Sequence, residues 1–243
     1  MFDFPPVSSP DAATGYVATV LADRPLGYFR LGESSGVTAA DQIENGPPGL
    51  VVGNVRYGQI GALATDPDTA VGIDGVNGAV EAGSSFDFSA NAPFSLECWV
   101  KPAAFDAGFH TLVSRWLAPP NNVGYNLYYQ AEVVRFARED ASIGAYDATM
   151  YTGLVAEVYS HVVATYDGQT IALYINGRQY SQAASLTALR DLPLTFMIGA
   201  SNNDPATAPL NGLIDEVAIY GTALAPTQVA AHYAAGIMPP TGS

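Results

Sequence analysis

His161-Val-Val-Ala-Thr-Tyr-Asp-Gly-Gln-Thr-Ile-Ala-Leu-Tyr-Ile-Asn-Gly-Arg-Gln-Tyr180 decides the architecture. Short runs rich in β-branched and aromatic residues are separated by Asp167-Gly168 and Asn176-Gly177. Both glycines tolerate the positive φ that tight hairpin turns demand, so the stretch predicts an antiparallel meander of three strands. In the middle strand Ile171, Leu173 and Ile175 point one way and Ala172, Tyr174 and Asn176 the other, because side chains alternate across a strand. Both faces are fairly apolar, which places this strand inside a sandwich.

The same punctuation recurs upstream at Asp74-Gly75 and Asn77-Gly78. Phe94–Lys101 reads as a further strand and carries the single cysteine, Cys98, expected to be a small core residue. One cysteine excludes an intrachain disulfide framework and every multi-cysteine metal site. Two short helices are expected. Tyr16, Val17, Val20 and Leu21 recur at helical spacing before Asp23-Arg24-Pro25 ends the pattern, and Leu224–Gly236 has Pro226 in its first turn and Gly236 at its close. Thr38–Gly49, Trp116–Asn126 and Ala200–Pro209 are rich in Pro, Gly, Asn or Asp and read as loops.

The chain has 243 residues, 49% of them hydrophobic and 13% charged, with 24 Gly and 17 Pro, which suits many strands joined by tight turns. This length fits one large sandwich. The expected division is an extended proline-bearing arm over residues 1–15, one domain over 16–236 and a tail over 237–243. Met1–Pro10 has neither a basic n-region nor an apolar h-region, and no stretch is long enough to span a membrane, so neither Sec-type export nor membrane insertion is expected. Nine basic against 23 acidic residues give a formal charge of −14, which argues against nucleic-acid binding. The acidity serves solubility or collects a hard cation such as calcium, which prefers oxygen ligands.

Ile73–Gly75, Phe94–Pro102, Tyr159–Gly168, Leu173–Gly177, Met197–Gly199 and Asn211–Tyr220 together resemble the laminin G-like group of the concanavalin A-like lectin/glucanase superfamily, over about residues 24–235. The resemblance implies an all-β jelly-roll sandwich of antiparallel sheets with one or two short helices. Tyr159 departs from it, standing where the family usually has Trp. Val20–Glu33 is similar to the start of such domains in bacteriophage virion proteins and bacterial surface proteins.

Site expectations follow from both sources. The resemblance implies a structural Ca2+ at the acidic residue of Gly212-Leu-Ile-Asp-Glu216, which here suggests Asp215 with Asp41, completed by backbone carbonyls and Asn45. Against it stands the reading that Asp215 simply accepts hydrogen bonds from a loop. Trp116, Asn121, Asn122, Tyr125 and Tyr128 suit stacking on and hydrogen bonding to a glycan, although such residues are more often loop and edge packing. No catalytic residue is assigned. Glycan hydrolases of the superfamily set carboxylates at alternating positions on one strand, a pattern missing here, and adjacent Asp215 and Glu216 are expected on opposite faces.

The leading functional expectation is a non-catalytic virion surface protein of a bacteriophage, a capsid decoration or tail-associated component. Such a protein assembles in the host cytoplasm, and its partners are other virion proteins or copies of itself. A carbohydrate-binding or adhesion module of a bacterial surface protein, extracellular and bound to a cell-surface glycan, is the alternative. A glycan hydrolase comes last.

Overall fold

The computed structural model describes residues 15–117, 122–201 and 208–238. Helix α1 (Tyr16–Ala22) is followed by β1 (Gly27–Phe29), β2 (Thr38–Ala39) and β3 (Gly49–Val52). Next come β4 (Val55–Ile60), β5 (Thr69–Asp74) and β6 (Ala79–Glu81), then the longer β7 (Phe94–Pro102), β8 (Phe109–Leu117), β9 (Val123–Gln130) and β10 (Val133–Asp140). After a 3-10 turn come β11 (Ala145–Thr152), β12 (Ser160–Tyr166), β13 (Thr170–Ile175) and β14 (Arg178–Ala184), and finally β15 (Met197–Ile198), β16 (Asn211–Tyr220) and helix α2 (Pro226–Ile237).

The strands form two antiparallel eight-stranded sheets. The first runs β14-β13-β12-β7-β16-β5-β4, with β1 also pairing with β16, and the second runs β11-β10-β9-β8-β15-β6-β3-β2. The meander predicted from His161–Tyr180 is β12-β13-β14. Its first turn is fixed by Asp167 Oδ1, which accepts from the backbone N–H groups of Gln169 and Thr170. Its second has φ 51° at Asn176 and 75° at Gly177, the two positive values that a type I′ turn needs.

Between the sheets lies one apolar core. It includes Leu96, Cys98 and Val100 of β7, Tyr125, Leu127 and Tyr129 of β9, and Ile171, Leu173 and Ile175 of β13. Each fully buried aliphatic or aromatic side chain contributes about 1.5–3 kcal/mol. A second cluster covers the opposite face of the first sheet. There Tyr16 and Val20 of α1 and Val229 of α2 pack with Trp99, Val163, Tyr174 and Tyr220. Strand β13 is thus buried on both faces, which is why its two side-chain sets are both apolar.

Two expectations fail on local geometry. Trp116–Asn126 is not one exposed loop: β8 continues to Leu117 and β9 starts at Val123, with Val123–Asn126 buried. Pairing on both sides overrides the turn-like composition there. Gly124, at φ 117°, lies so close to β8 that a Cβ would sit 2.0 Å from the Arg115 carbonyl oxygen. Nor do Asp215 and Glu216 point to opposite faces. The register of β16 against β7 shifts between Asp215 and Ala218, and Glu216 has φ 52°, the marks of a β-bulge. Ile214 and Val217 both enter the core, so the two carboxylates between them share the outer face.

The helix layer is tied down by one buried carboxylate. Glu97 of β7 accepts from Tyr16 Oη of α1 at 2.8 Å, His161 Nε2 of β12 at 2.7 Å, Tyr220 Oη of β16 at 2.7 Å and His232 Nδ1 of α2 at 2.9 Å. His232 Nε2 lies 3.0 Å from Asp23 Oδ2 just past α1. Burial opposes ionisation of Glu97, but the hydrogen bonds and charges of His161 and His232 outweigh it and hold the carboxyl well below its usual range. Burial likewise opposes the charge on His232, while Glu97 and Asp23 raise its pKa above the ordinary value.

The depressed Glu97 pKa contributes stability above about pH 4.5 that is lost as pH falls, and the raised His232 pKa contributes stability below about pH 6.5 that is lost as pH rises through the folded value. Both contributions are complete between those limits. Glu97→Gln is expected to cost about 3–5 kcal/mol at pH 6 in denaturant unfolding and to flatten the acid limb of the stability curve. An unchanged midpoint would show that the network does not hold the helices.

Candidate functional site: a cleft on the second sheet

Helices cover much of the outer face of the first sheet; the outer face of the second bears a cleft of about 680 Å3. Its floor comes from side chains that alternate away from the core on β8–β11. Trp116 pairs with Gly124, Gly124 with Glu139 and Glu139 with Tyr146, so these residues form one row across four strands. Gly124 has no side chain, which leaves a backbone trough between the Trp116 ring and the Glu139 carboxylate. The next row carries Ser114, Asn126, Ala137 and Ala148, mostly small, and Tyr128 stands beyond it.

The polar groups of the floor include acceptors without a partner. Asn126 is only 6% exposed and its Oδ1 has no partner. Asn122 donates from Nδ2 to Glu139 Oε1 at 3.0 Å, which leaves its own buried Oδ1 unpaired. Burial pushes the Tyr128 hydroxyl pKa upward, and a hydrogen bond with Tyr146 adds to the shift. The Tyr128 ring also lies 5.4 Å from Phe109, centroid to centroid. On the rim, His110 Nδ1 donates to the Pro209 carbonyl oxygen at 2.9 Å and Nε2 lies 3.0 Å from Asp106 Oδ1. That contact and the Gly108 N–H hold the Asp106 carboxyl below its usual range. Flat aromatic faces beside unpaired acceptors match a ligand with apolar patches and many hydroxyl donors.

Of the residues expected to bind a glycan, Trp116, Asn122 and Tyr128 line this cleft. Asn121 lies outside the described residues. Tyr125 does not reach the cleft: it sits in the core between the sheets and donates its hydroxyl to the Phe86 carbonyl oxygen at 2.7 Å. Asn126, Glu139 and Tyr146 were missed. Strand alternation carried a signal for Asn126, two residues before Tyr128, but reading Trp116–Asn126 as a loop hid it.

The residues expected at a calcium site are held by separate segments. Asp41 Oδ1 accepts from the backbone N–H groups of Tyr28 and Ile43, while Asp215 Oδ2 accepts from that of Ala62. Asn45 is exposed, with φ 62°. Asp41 Oδ2 and Asp215 Oδ1 are both buried without a partner, which is the donor chemistry calcium takes. Among the described residues, however, no three His, Cys, Asp or Glu side chains are grouped to hold a metal. The neighbouring Glu216 is served by a cation of the chain itself: Arg30 Nη2 lies 2.9 Å from Glu216, 2.8 Å from Asp66 and 3.1 Å from Asp68. Tyr28 also donates its hydroxyl to Glu216. Burial pushes the Glu216 carboxyl up to about 7 although Arg30 opposes it, and burial with the nearby Glu216 charge raises Asp215 as well.

The sequence model of the concanavalin A-like lectin/glucanases superfamily, laminin G type, matches residues 74–230. The chain belongs to this family. No curated protein matches it. Among solved structures, this laminin G-like domain is similar to the binding domain of botulinum neurotoxin serotype G, with a TM-score of 0.61 and 13% identity over 86% of this chain and 50% of that one. It is similar to Trypanosoma rangeli sialidase, solved with sialic acid, with a TM-score of 0.63 and 18% identity over 85% of this chain and 32% of the sialidase. It therefore spans about half of the toxin domain and about a third of the sialidase. Domain 4 of an extracellular arabinanase from Geobacillus stearothermophilus, solved with arabinotriose, matches with a TM-score of 0.59 and 20% identity over 86% of this chain and 98% of that domain. At these identities the likeness establishes the lectin-like fold.

Proposed function

We propose that this laminin G-like domain is a non-catalytic carbohydrate-binding module and that the cleft on β8–β11 is its sugar site. The carrying observation is the Trp116 ring set beside the unpaired, nearly buried Asn126 Oδ1 in a cleft of about 680 Å3. Pockets for small ligands measure about 300–1,000 Å3, so an oligosaccharide segment fits. The arabinanase domain, matched over 98% of its length and solved with arabinotriose, supports the reading from outside the chain. Asp215 and Glu216, an acidic pair brought to a common face, are 2% and 1% exposed and engaged by Ala62, Tyr28 and Arg30, which favours a structural role for them.

Trp116→Ala and Tyr128→Ala are each expected to weaken saturable binding to an array-selected glycan about tenfold or more, since a buried aromatic anchor is worth at least about 1–2 kcal/mol. Calorimetric titration checks this. Silence of the whole glycan array, or full affinity in Trp116→Ala, would overturn the reading.

A bound calcium is a separate proposal, resting on the unpaired oxygens of Asp41 and Asp215, with Asn45 completing the set. It would supply fixed positive charge to one buried and one half-buried carboxylate. A melting temperature several degrees higher in calcium than in chelator, lost in Asp215→Asn, is the expected result; equal values would dismiss the ion.

The finer placing, on the surface of a bacteriophage particle as a capsid decoration or tail-associated protein, is supported by the Val20–Glu33 phrase. A bacterial surface adhesion module is the alternative on the same fold. Co-purification with particles at a fixed stoichiometry is expected, and a protein found only free in the host cytosol would rule it out.

A further inference from the structure

We infer that the cleft selects its sugar by charge: it accepts uncharged oligosaccharides and rejects those bearing carboxylates or sulfates, with Glu139 setting the selection. This rests on the glycan-binding reading above and goes further, because it names the class of ligand.

The charge census of the cleft comes first. Asp106 and Glu139 are among its lining residues, and none of the chain's nine basic residues is. Arg135, opposite Tyr128 in the ladder and therefore on the same face, keeps its charge near that ring but is not among the lining residues. Asp106 is answered by His110. Glu139 is different. Asp140, Asp87 and Glu216 each have an arginine partner, Arg190, Arg115 and Arg30 respectively. Among the described residues Glu139 makes no ion pair and is held only by the Asn122 amide.

The hydrogen-bonding census points the same way. Asn122 Oδ1 and Asn126 Oδ1 are buried acceptors without partners, and Glu139 adds acceptor oxygens beside them. A sugar hydroxyl can donate to all three. A carboxylate or sulfate group can donate to none, so binding it would leave these acceptors unpaired while bringing two negative charges together. Pairing with Gly124 and Tyr146 on either side fixes the backbone at Glu139, and the Asn122 amide holds its side chain.

The experiment titrates wild type, Glu139→Gln and Trp116→Ala with neutral arabino-, gluco- and galacto-oligosaccharides and with oligogalacturonate and sialyllactose, at low and high salt. Wild type is expected to bind a neutral probe at least about tenfold more tightly than either acidic one at low salt, with the gap shrinking as salt screens the carboxylate. Glu139→Gln keeps the shape and removes the charge, so the neutral-to-acidic ratio is expected to fall about fivefold or more and to lose its salt dependence. Unfolding curves on the same samples confirm that the variant is folded, and the wild-type salt dependence tests the idea without any variant. Trp116-dependent binding that prefers an acidic sugar, or a ratio unmoved in Glu139→Gln, would overturn charge selection while leaving the cleft as the sugar site. Failure of every probe, neutral and acidic alike, would remove the glycan reading and this inference with it.

Discussion

A carboxylate with no access to solvent, Glu97, takes hydrogen bonds from two tyrosines and two histidines on four different elements. A buried charge so surrounded is tolerable only while all its donors are in place, so α1, α2, β12 and β16 must be positioned together. That requirement keeps the helices packed over much of the outer face of the first sheet. The two sheets are consequently inequivalent, and among the described residues the larger cleft lies on the second, where β8–β11 can present side chains to a ligand.

Much of the fold could be read from local chemistry. The Asp167-Gly168 and Asn176-Gly177 turns, the two-faced apolar strand between them and both helices follow from backbone preference and periodicity, which act over a few residues. The fine structure of the same regions escaped because it depends on pairing partners far away. Gly124 looks like a loop residue in isolation; it is a strand residue because β8 approaches too closely for a side chain. Asp215 and Glu216 look like an alternating pair; a bulge against β7 turns both outward.

The candidate site divides along the same line. Trp116, Asn122 and Tyr128 stand out by residue type, since rings and amides near Pro and Asn suggest a ligand surface. Glu139 and Tyr146 do not, because their place beside Trp116 comes only from the register of β10 and β11 against β9. Tyr125 illustrates the converse error. Its type suits a sugar, but strand parity sends it into the core, where its hydroxyl is used by Phe86.

The cleft and the helices occupy opposite outer surfaces of the sandwich, and Tyr16 and Ile237, the outer ends of α1 and α2, both belong to the helix side. The described chain therefore begins and ends on the surface opposite the cleft. A support held close to those two residues would face the back of the sandwich, and several copies fixed in that way would turn their clefts the same way, the geometry in which separate weak contacts add together.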